Sequence, residues 1–218
     1  MKLIFSEPHS YSGSQAIFLD RDGVINQRVV GDYVRHWRNF LFLPGVQHAI
    51  NALATLPVPI IVVSNQAGVA KGAVTERDLR DLTIAFQQEL ALNGARIDAV
   101  YYCVHHPDEG CDCRKPRSGL LLQAAQEWGL NLNDCFMVGD SASDIIAGAS
   151  VGCQTILVNR SSDSSASVRG LGCTIVDDLR AASARLLKKM IMGSPFRASH
   201  PLALPTSIAR QRGSMTSD

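Results

Sequence analysis

Four short segments of this chain combine acidic, hydroxyl and cationic side chains in a way that suits phosphate chemistry. Asp20 and Asp22 stand two residues apart behind the apolar run 16–19, and Ser64 and Asn65 follow the β-branched run 58–63. Arg114 and Lys115 are adjacent, and Asp140 and Asp144 come after the apolar run 135–138. Two or three carboxylates are the usual protein share of a Mg²⁺ shell, with water and phosphate oxygens completing the octahedron. A hydroxyl and a lysine facing that ion suit a phosphoryl group, because they offset its charge during transfer. Singly, each segment has an ordinary explanation. Asp22-Gly23 is also a turn pair, 140–144 is also a helix start, Ser64 is also a cap, and Lys115 is also a solvated charge. Together, four strand ends carrying this ordered set point to phosphoryl transfer.

A second constellation lies just before Lys115. Cys103 and His105 form one i, i+2 pair, and Cys111 and Cys113 form another. Residues two apart in extended backbone face the same side, so the two pairs make pincers able to close tetrahedrally on Zn²⁺. Four protein ligands leave no open position, so the expected role is structural: a metal stiffening the loop that ends at Lys115. His106 competes with His105, since spacing does not separate them. Cys135, Cys153 and Cys173 sit in or beside apolar runs and read as buried thiols.

The elements that must position these groups alternate along the chain. Strands are expected over 16–19, 58–63, 97–102, 135–138 and 153–158, with a short one over 174–176. Helical spacing marks 45–56, where Val46, Ala49, Ile50, Leu53 and Leu56 share a face. A capping-type start at Thr75 and Asp78 opens a helix reaching about residue 93. Further helices are expected over 118–128, stopped by Gly129, over 141–151, and from the last strand to about 192. Strictly alternating strands and helices predict an α/β fold, a parallel sheet with helices on both faces. Ligands then bind outside the carboxyl ends of the strands, where the four segments fall. One helix plus loops fills each of the stretches 23–63 and 65–114, which leaves no room for a cap domain. The mouth of the site must be built by loops 26–40, 65–74 and the metal loop, carrying Arg28, Arg35, Lys71, Arg114 and Arg117.

Composition sets the limits. The chain has 218 residues, 46% of them hydrophobic and 19% charged, with 21 basic against 20 acidic residues. A net charge of +1 gives no electrostatic case for binding nucleic acid or a polybasic contact with membrane. Apolar runs are too short for a membrane span, and the first residues turn polar too early for a signal peptide, so a cytoplasmic location is expected. Residues 1–15 read as a loose polar lead-in, 16–192 as one catalytic domain, the serine-rich 161–167 as a loop, and 193–218 as a disordered tail. A monomer is the expectation.

The segment Asp20-Arg21-Asp22-Gly23-Val24-Ile25 resembles the first motif of the haloacid dehalogenase superfamily of aspartyl phosphatases. Ser64, Lys115 and the pair Asp140 and Asp144 fall where its remaining motifs should. The resemblance implies a Rossmann-like sheet and an aspartyl-phosphate formed on Asp20. It implies acid–base work by Asp22, and Mg²⁺ held by Asp20, the Asp22 carbonyl and Asp140. Ser64 and Lys115 would bind the phosphoryl oxygens, and Asp144 would orient the site. The zinc loop, 101–107 and 111–116, together with 31–34 and 64–72, is similar to the D-glycero-D-manno-heptose 1,7-bisphosphate phosphatase group. Its sister group, the histidinol-phosphate phosphatases, shares the zinc ligands. Val104 stands where both groups commonly have proline, the loop from His105 to Cys111 is short, and Ser141 replaces a lysine found in some heptose enzymes. The resemblance implies removal of the 7-phosphate of a small sugar bisphosphate, in a pathway to cell-surface glycans. Arg114 is the foremost candidate for recognising the second phosphate, with Asn65, Arg28 and Lys71 as further substrate contacts. Histidinol-phosphate hydrolysis is the second reading, and a catalytically dead zinc-loop module that binds a partner is the third.

Overall fold

The computed structural model describes residues 1–158, 168 and 170–192, so the readings of 161–167 as a loop and of 193–218 as a tail lie outside the described residues. Seven strands form one sheet: β1 (Lys2–Ile4), β2 (Ile17–Leu19), β3 (Ile60–Asn65), β4 (Ala99–Cys103), β5 (Phe136–Gly139), β6 (Gln154–Val158) and β7 (Thr174–Val176). Their order is β1-β4-β3-β2-β5-β6-β7. All pairings are parallel except β1 with β4. Counted from β2, the six parallel strands have the doubly wound order 3-2-1-4-5-6, whose direction reverses between β2 and β5. That reversal opens the crevice beyond Leu19 and Gly139, and puts Asp20 and Asp140 side by side.

The central strands β2 and β3 are apolar up to Leu19 and Val63 because both faces are covered. Ile17 and Leu19 join one core with α1 (Val46–Ala54), α2 (Glu76–Leu92) and α5 (Leu179–Met192). Phe18 joins another with α3 (Gly119–Trp128) and α4 (Ala142–Ala149). In α2, Leu79, Leu82, Phe86 and Leu90 repeat at helical spacing and are buried, with Phe86 stacked on Phe40 at 5.3 Å. The helix starts where expected, since Thr75 Oγ1 accepts from Asp78 N (3.0 Å) and Thr75 N donates to Asp78 Oδ2 (3.1 Å). α3 ends at Gly129, whose φ of +65° gives the left-handed turn that glycine permits. Between β2 and β3 lie loops, one 3₁₀ turn and α1, and between β3 and β4 lie loops and α2.

Residues 1–15 are not the loose lead-in that their composition suggests. Leu3 pairs with Val100 in an antiparallel edge strand. Ser6 Oγ and Tyr11 Oη donate to Asp98 Oδ1 at 2.7 and 2.6 Å. Asp98 is fully buried, accepts the Ile60 amide on Oδ2 at 2.8 Å and pairs with Arg96. A three-residue strand with one buried side chain shows no period, and its partners lie far away in sequence. Among the described residues, no helix is long and apolar enough to cross a membrane.

Candidate active site

A cleft of about 800 Å³ opens at the carboxyl ends of the strands, lined by Asp20, Asp22, Ser64, Asn65, Lys115, Asp140 and Asp144. Arg28, Lys71 and Arg114 lie on its walls. Thus every residue expected at the chemical end of the site reaches one cavity. Arg35 and Arg117 do not line it: Arg35 donates to Asp32, and Arg117 donates to the carbonyls of Gly110 and Cys111.

Lys115 forms the floor. Its ammonium lies 2.8 Å from Asp20 Oδ1 and 2.5 Å from Asp144 Oδ1, and donates to the Val63 carbonyl at 2.7 Å. Burial alone would lower its pKa, but the charges of Asp144 and Asp20 prevail and hold it above the ordinary lysine value. Asp144 serves two elements at once, since its Oδ2 accepts from Ser141 N (3.1 Å) and Ser141 Oγ (2.6 Å) at the start of α4. Asp144 thus caps this helix and also lines the cleft beside Lys115.

Carboxylate oxygens of Asp20, Asp140 and Asp144 come within 4.8 Å of one another. Burial first, and then the neighbouring acids Asp20 and Asp144, push the Asp140 carboxyl up to about 7. Burial likewise pushes Asp20 up to about 6, the positive charge of Lys115 offsetting part of the effect. Three hard oxygen donors crowded in a buried cleft suit a divalent cation such as Mg²⁺. Glycines make the crowding possible. A Cβ on Gly23, which has φ of +94°, would overlap the Asp140 carboxylate, and one on Gly139 would overlap Asp144.

Asp22 lies outside this acidic trio. Its carboxylate accepts from Arg21 Nη2 (3.0 and 2.9 Å), Asn26 Nδ2 (2.8 Å) and Gln66 Nε2 (2.7 Å). Burial would raise its pKa, but the Arg21 charge and these hydrogen bonds lower it. Arg21 is itself sealed from solvent, with its guanidinium 5.6 Å from the centre of the Tyr102 ring. Sequence reasoning misses Arg21, Asn26 and Gln66; the available signal is that Arg21 and Gln66 fall inside the segments 20–25 and 64–72 and Asn26 directly follows the first. Asn65 also braces the floor of the site. It lines the cleft, and its amide donates to Lys115 O and accepts from Lys115 N, both at 3.0 Å. Both polar ends thus hold the Lys115 backbone, which leaves one amide hydrogen and one lone pair of Asn65 towards the cleft.

The second constellation also closes. Ligand atoms of Cys103, His105, Cys111 and Cys113 lie within 4.8 Å of one another, with His105 Nδ1 3.1 Å from Cys113 Sγ and Cys103 Sγ 3.6 Å from Cys111 Sγ. Three thiols and an imidazole are a donor set suited to Zn²⁺. His106 is not part of this group, and its Nδ1 accepts from Asp108 N at 3.3 Å in a turn of its own. Cys111 is partly shielded, which would raise its pKa, but hydrogen bonds from Cys113 and Cys103 pull it down to about 7. Of the other thiols, Cys135 and Cys153 are buried as expected, whereas Cys173 is only partly so.

A doubly wound sheet thus brings a paired-aspartate strand end, a buried lysine and an acidic trio to its switch point, an arrangement suited to phosphoryl chemistry. A HAD-hydrolase-like family model matches residues 112–182. The D-glycero-alpha-D-manno-heptose-1,7-bisphosphate 7-phosphatase of Mycobacterium bovis is 40% identical over 156 residues, covering 67% of this chain and 80% of the relative. The D-glycero-beta-D-manno-heptose-1,7-bisphosphate 7-phosphatase of Vibrio cholerae is 36% identical over 181 residues, covering 79% and 96%. Among solved structures, the D,D-heptose 1,7-bisphosphate phosphatase of B. bronchiseptica, complexed with magnesium and phosphate, superposes with a TM-score of 0.75 at 34% identity, covering 80% of this chain and 99% of that one. The chain belongs to the heptose-1,7-bisphosphate 7-phosphatase family of haloacid dehalogenase-like phosphatases.

Proposed function

We propose that this phosphatase removes the 7-phosphate of D-glycero-D-manno-heptose 1,7-bisphosphate through an aspartyl-phosphate on Asp20. The observation that carries the reading is the Lys115 ammonium, buried at the cleft floor 2.8 Å from Asp20. A cation there steadies the nucleophile and awaits a phosphoryl oxygen beside it. An Asp20 oxygen attacks phosphorus as the bond to the sugar oxygen breaks, and Asp22 gives that oxygen a proton. Water then attacks the aspartyl-phosphate, Asp22 takes its proton, and phosphate leaves with Asp20 regenerated. The donors around Asp22 favour its ionised form, which is the form needed in the second step. Ser64 and Lys115 hold the phosphoryl oxygens.

Mg²⁺, for which Asp20, Asp140 and the Asp22 carbonyl are the proposed ligands, would supply charge neutralisation at the phosphoryl group. The crowded carboxylates support this assignment, as does the magnesium bound by the B. bronchiseptica relative. Asp144 is assigned to holding Lys115. Zn²⁺ on Cys103, His105, Cys111 and Cys113 would stiffen the loop leading into Arg114 and Lys115. Arg114 Nη1 is buried without a protein partner, which suits it to the second phosphate, and Arg28 and Lys71 extend the basic wall.

Phosphate release with Mg²⁺ on both heptose bisphosphate anomers, histidinol phosphate and fructose 1,6-bisphosphate tests the proposal. A preference of about a hundredfold in kcat/KM for one heptose anomer over histidinol phosphate is expected. The reverse preference would replace it with the histidinol-phosphate reading. No release from any of the four would favour a binding module.

A further inference from the structure

Gln66 lies one residue past β3 and is 4% exposed. Its backbone amide donates to the Cys103 carbonyl at 2.7 Å, which ties it to the end of β4. Its side-chain Nε2 reaches two acceptors, Asp22 Oδ2 at 2.7 Å and Ser64 Oγ at 3.1 Å. An ionised carboxylate only accepts hydrogen bonds, so the amide nitrogen rather than the amide oxygen must face Asp22. That nitrogen has two hydrogens, and both have a target here. Because Ser64 Oγ accepts from Gln66, its own hydrogen is left to donate elsewhere, towards the cleft it lines. Asp22 Oδ2 is in turn held between Gln66 and the buried Arg21.

We propose that Gln66 is a positioning residue that sets two groups of the reaction with one nitrogen: it aims the Asp22 carboxyl and turns the Ser64 hydroxyl into a donor. This rests on the reading of Asp22 as the acid–base group and Ser64 as a phosphoryl-oxygen ligand. The two roles separate by leaving group. A sugar alkoxide needs a proton to depart, whereas p-nitrophenolate leaves without one. Misalignment of the acid therefore harms sugar phosphates selectively, while a loss of phosphoryl binding harms both substrates alike.

The test compares kcat/KM, which reports steps up to leaving-group departure, for heptose bisphosphate and p-nitrophenyl phosphate. Gln66→Met keeps similar bulk but has no donor. It is expected to lose about thirtyfold or more on the heptose bisphosphate and only about threefold on p-nitrophenyl phosphate, since general-acid contributions run to ~10²–10⁴. Equal losses on both substrates would overturn the positioning of Asp22. Gln66→Ala, with melting curves for both variants, guards against misfolding, and failure of both to fold would make Gln66 purely structural. Asp22→Asn serves as the reference. If its loss is selective and that of Gln66→Met is uniform, the role of Gln66 falls while that of Asp22 stands. If Asp22→Asn is itself uniform, the acid reading falls and takes this inference with it.

Discussion

Lys115 Nζ and Asp144 Oδ1 are 2.5 Å apart, with side chains only 3% and 1% exposed. The same carboxylate accepts from Ser141, the residue that caps α4, through its other oxygen. The helix start and the charge at the cleft floor are thereby locked together. Asp144→Asn should keep some contact with Ser141 but leave Lys115 with only one acidic neighbour. Removing one partner of a buried pair costs about 3–5 kcal/mol, and kcat/KM should fall at least about tenfold. An unchanged urea midpoint would show that the pair adds nothing to the fold.

Gly139→Ala tests the crowding from the backbone side. Its new Cβ would collide with Asp144 Cβ and Cγ, atoms fixed by the start of α4 rather than the end of a flexible chain. Overpacking of this kind costs about 1–3 kcal/mol. Activity should drop further than stability does, because the shift moves Asp144 away from Lys115. A variant with wild-type kcat would show that α4 can retreat freely.

The acidic trio predicts a pH dependence. Asp140 is raised from the ordinary carboxylate value near ~4 to about 7 by burial and its acidic neighbours. An acid whose folded pKa exceeds its unfolded value binds more protons when folded, so stability falls as pH rises between the two values. In Mg²⁺-free buffer, wild type should lose stability relative to Asp140→Asn as pH rises from about 4 to about 7, with a constant difference above that. Mg²⁺ should remove the wild-type penalty. Parallel Tm profiles for the two proteins would contradict the assignment.

For the thiol cluster, elemental analysis should find about one zinc per chain. Stripping it, or making Cys111→Ser, should lower both Tm and kcat, since Cys113 is two residues from Lys115. Zn²⁺ rather than Mg²⁺ should restore the stripped protein. Active protein without zinc would refute the site.

Asp98 gathers Ser6, Tyr11, Arg96 and the Ile60 amide far from the cleft. Asp98→Ala leaves those donors unpaired and should cost about 2–4 kcal/mol. The protein that remains folded should keep its kcat. A large fall in kcat at a temperature well below the melting transition would mean that the N-terminal strand communicates with the site.

Much of this protein could be read from one dimension. The strands and helices follow from apolar periods and from caps such as Thr75 and Asp78, which are local. The paired aspartates fell at the switch point because parallel strands all end on the same side. The Cys-x-His and Cys-x-Cys spacings pointed to four side chains that the fold gathers. Distance along the chain could not show which way a side chain turns once the strands are in register. Only the packed structure chose His105 over His106, placed the Asp144 carboxylate against Lys115, engaged Asn65 with the Lys115 backbone, and set Arg21, Asn26 and Gln66 around Asp22. Local spacing determined which chemical groups the protein has, and tertiary packing decided which of them meet, because contacts such as Gln66 to Asp22 join residues that only the sheet brings together.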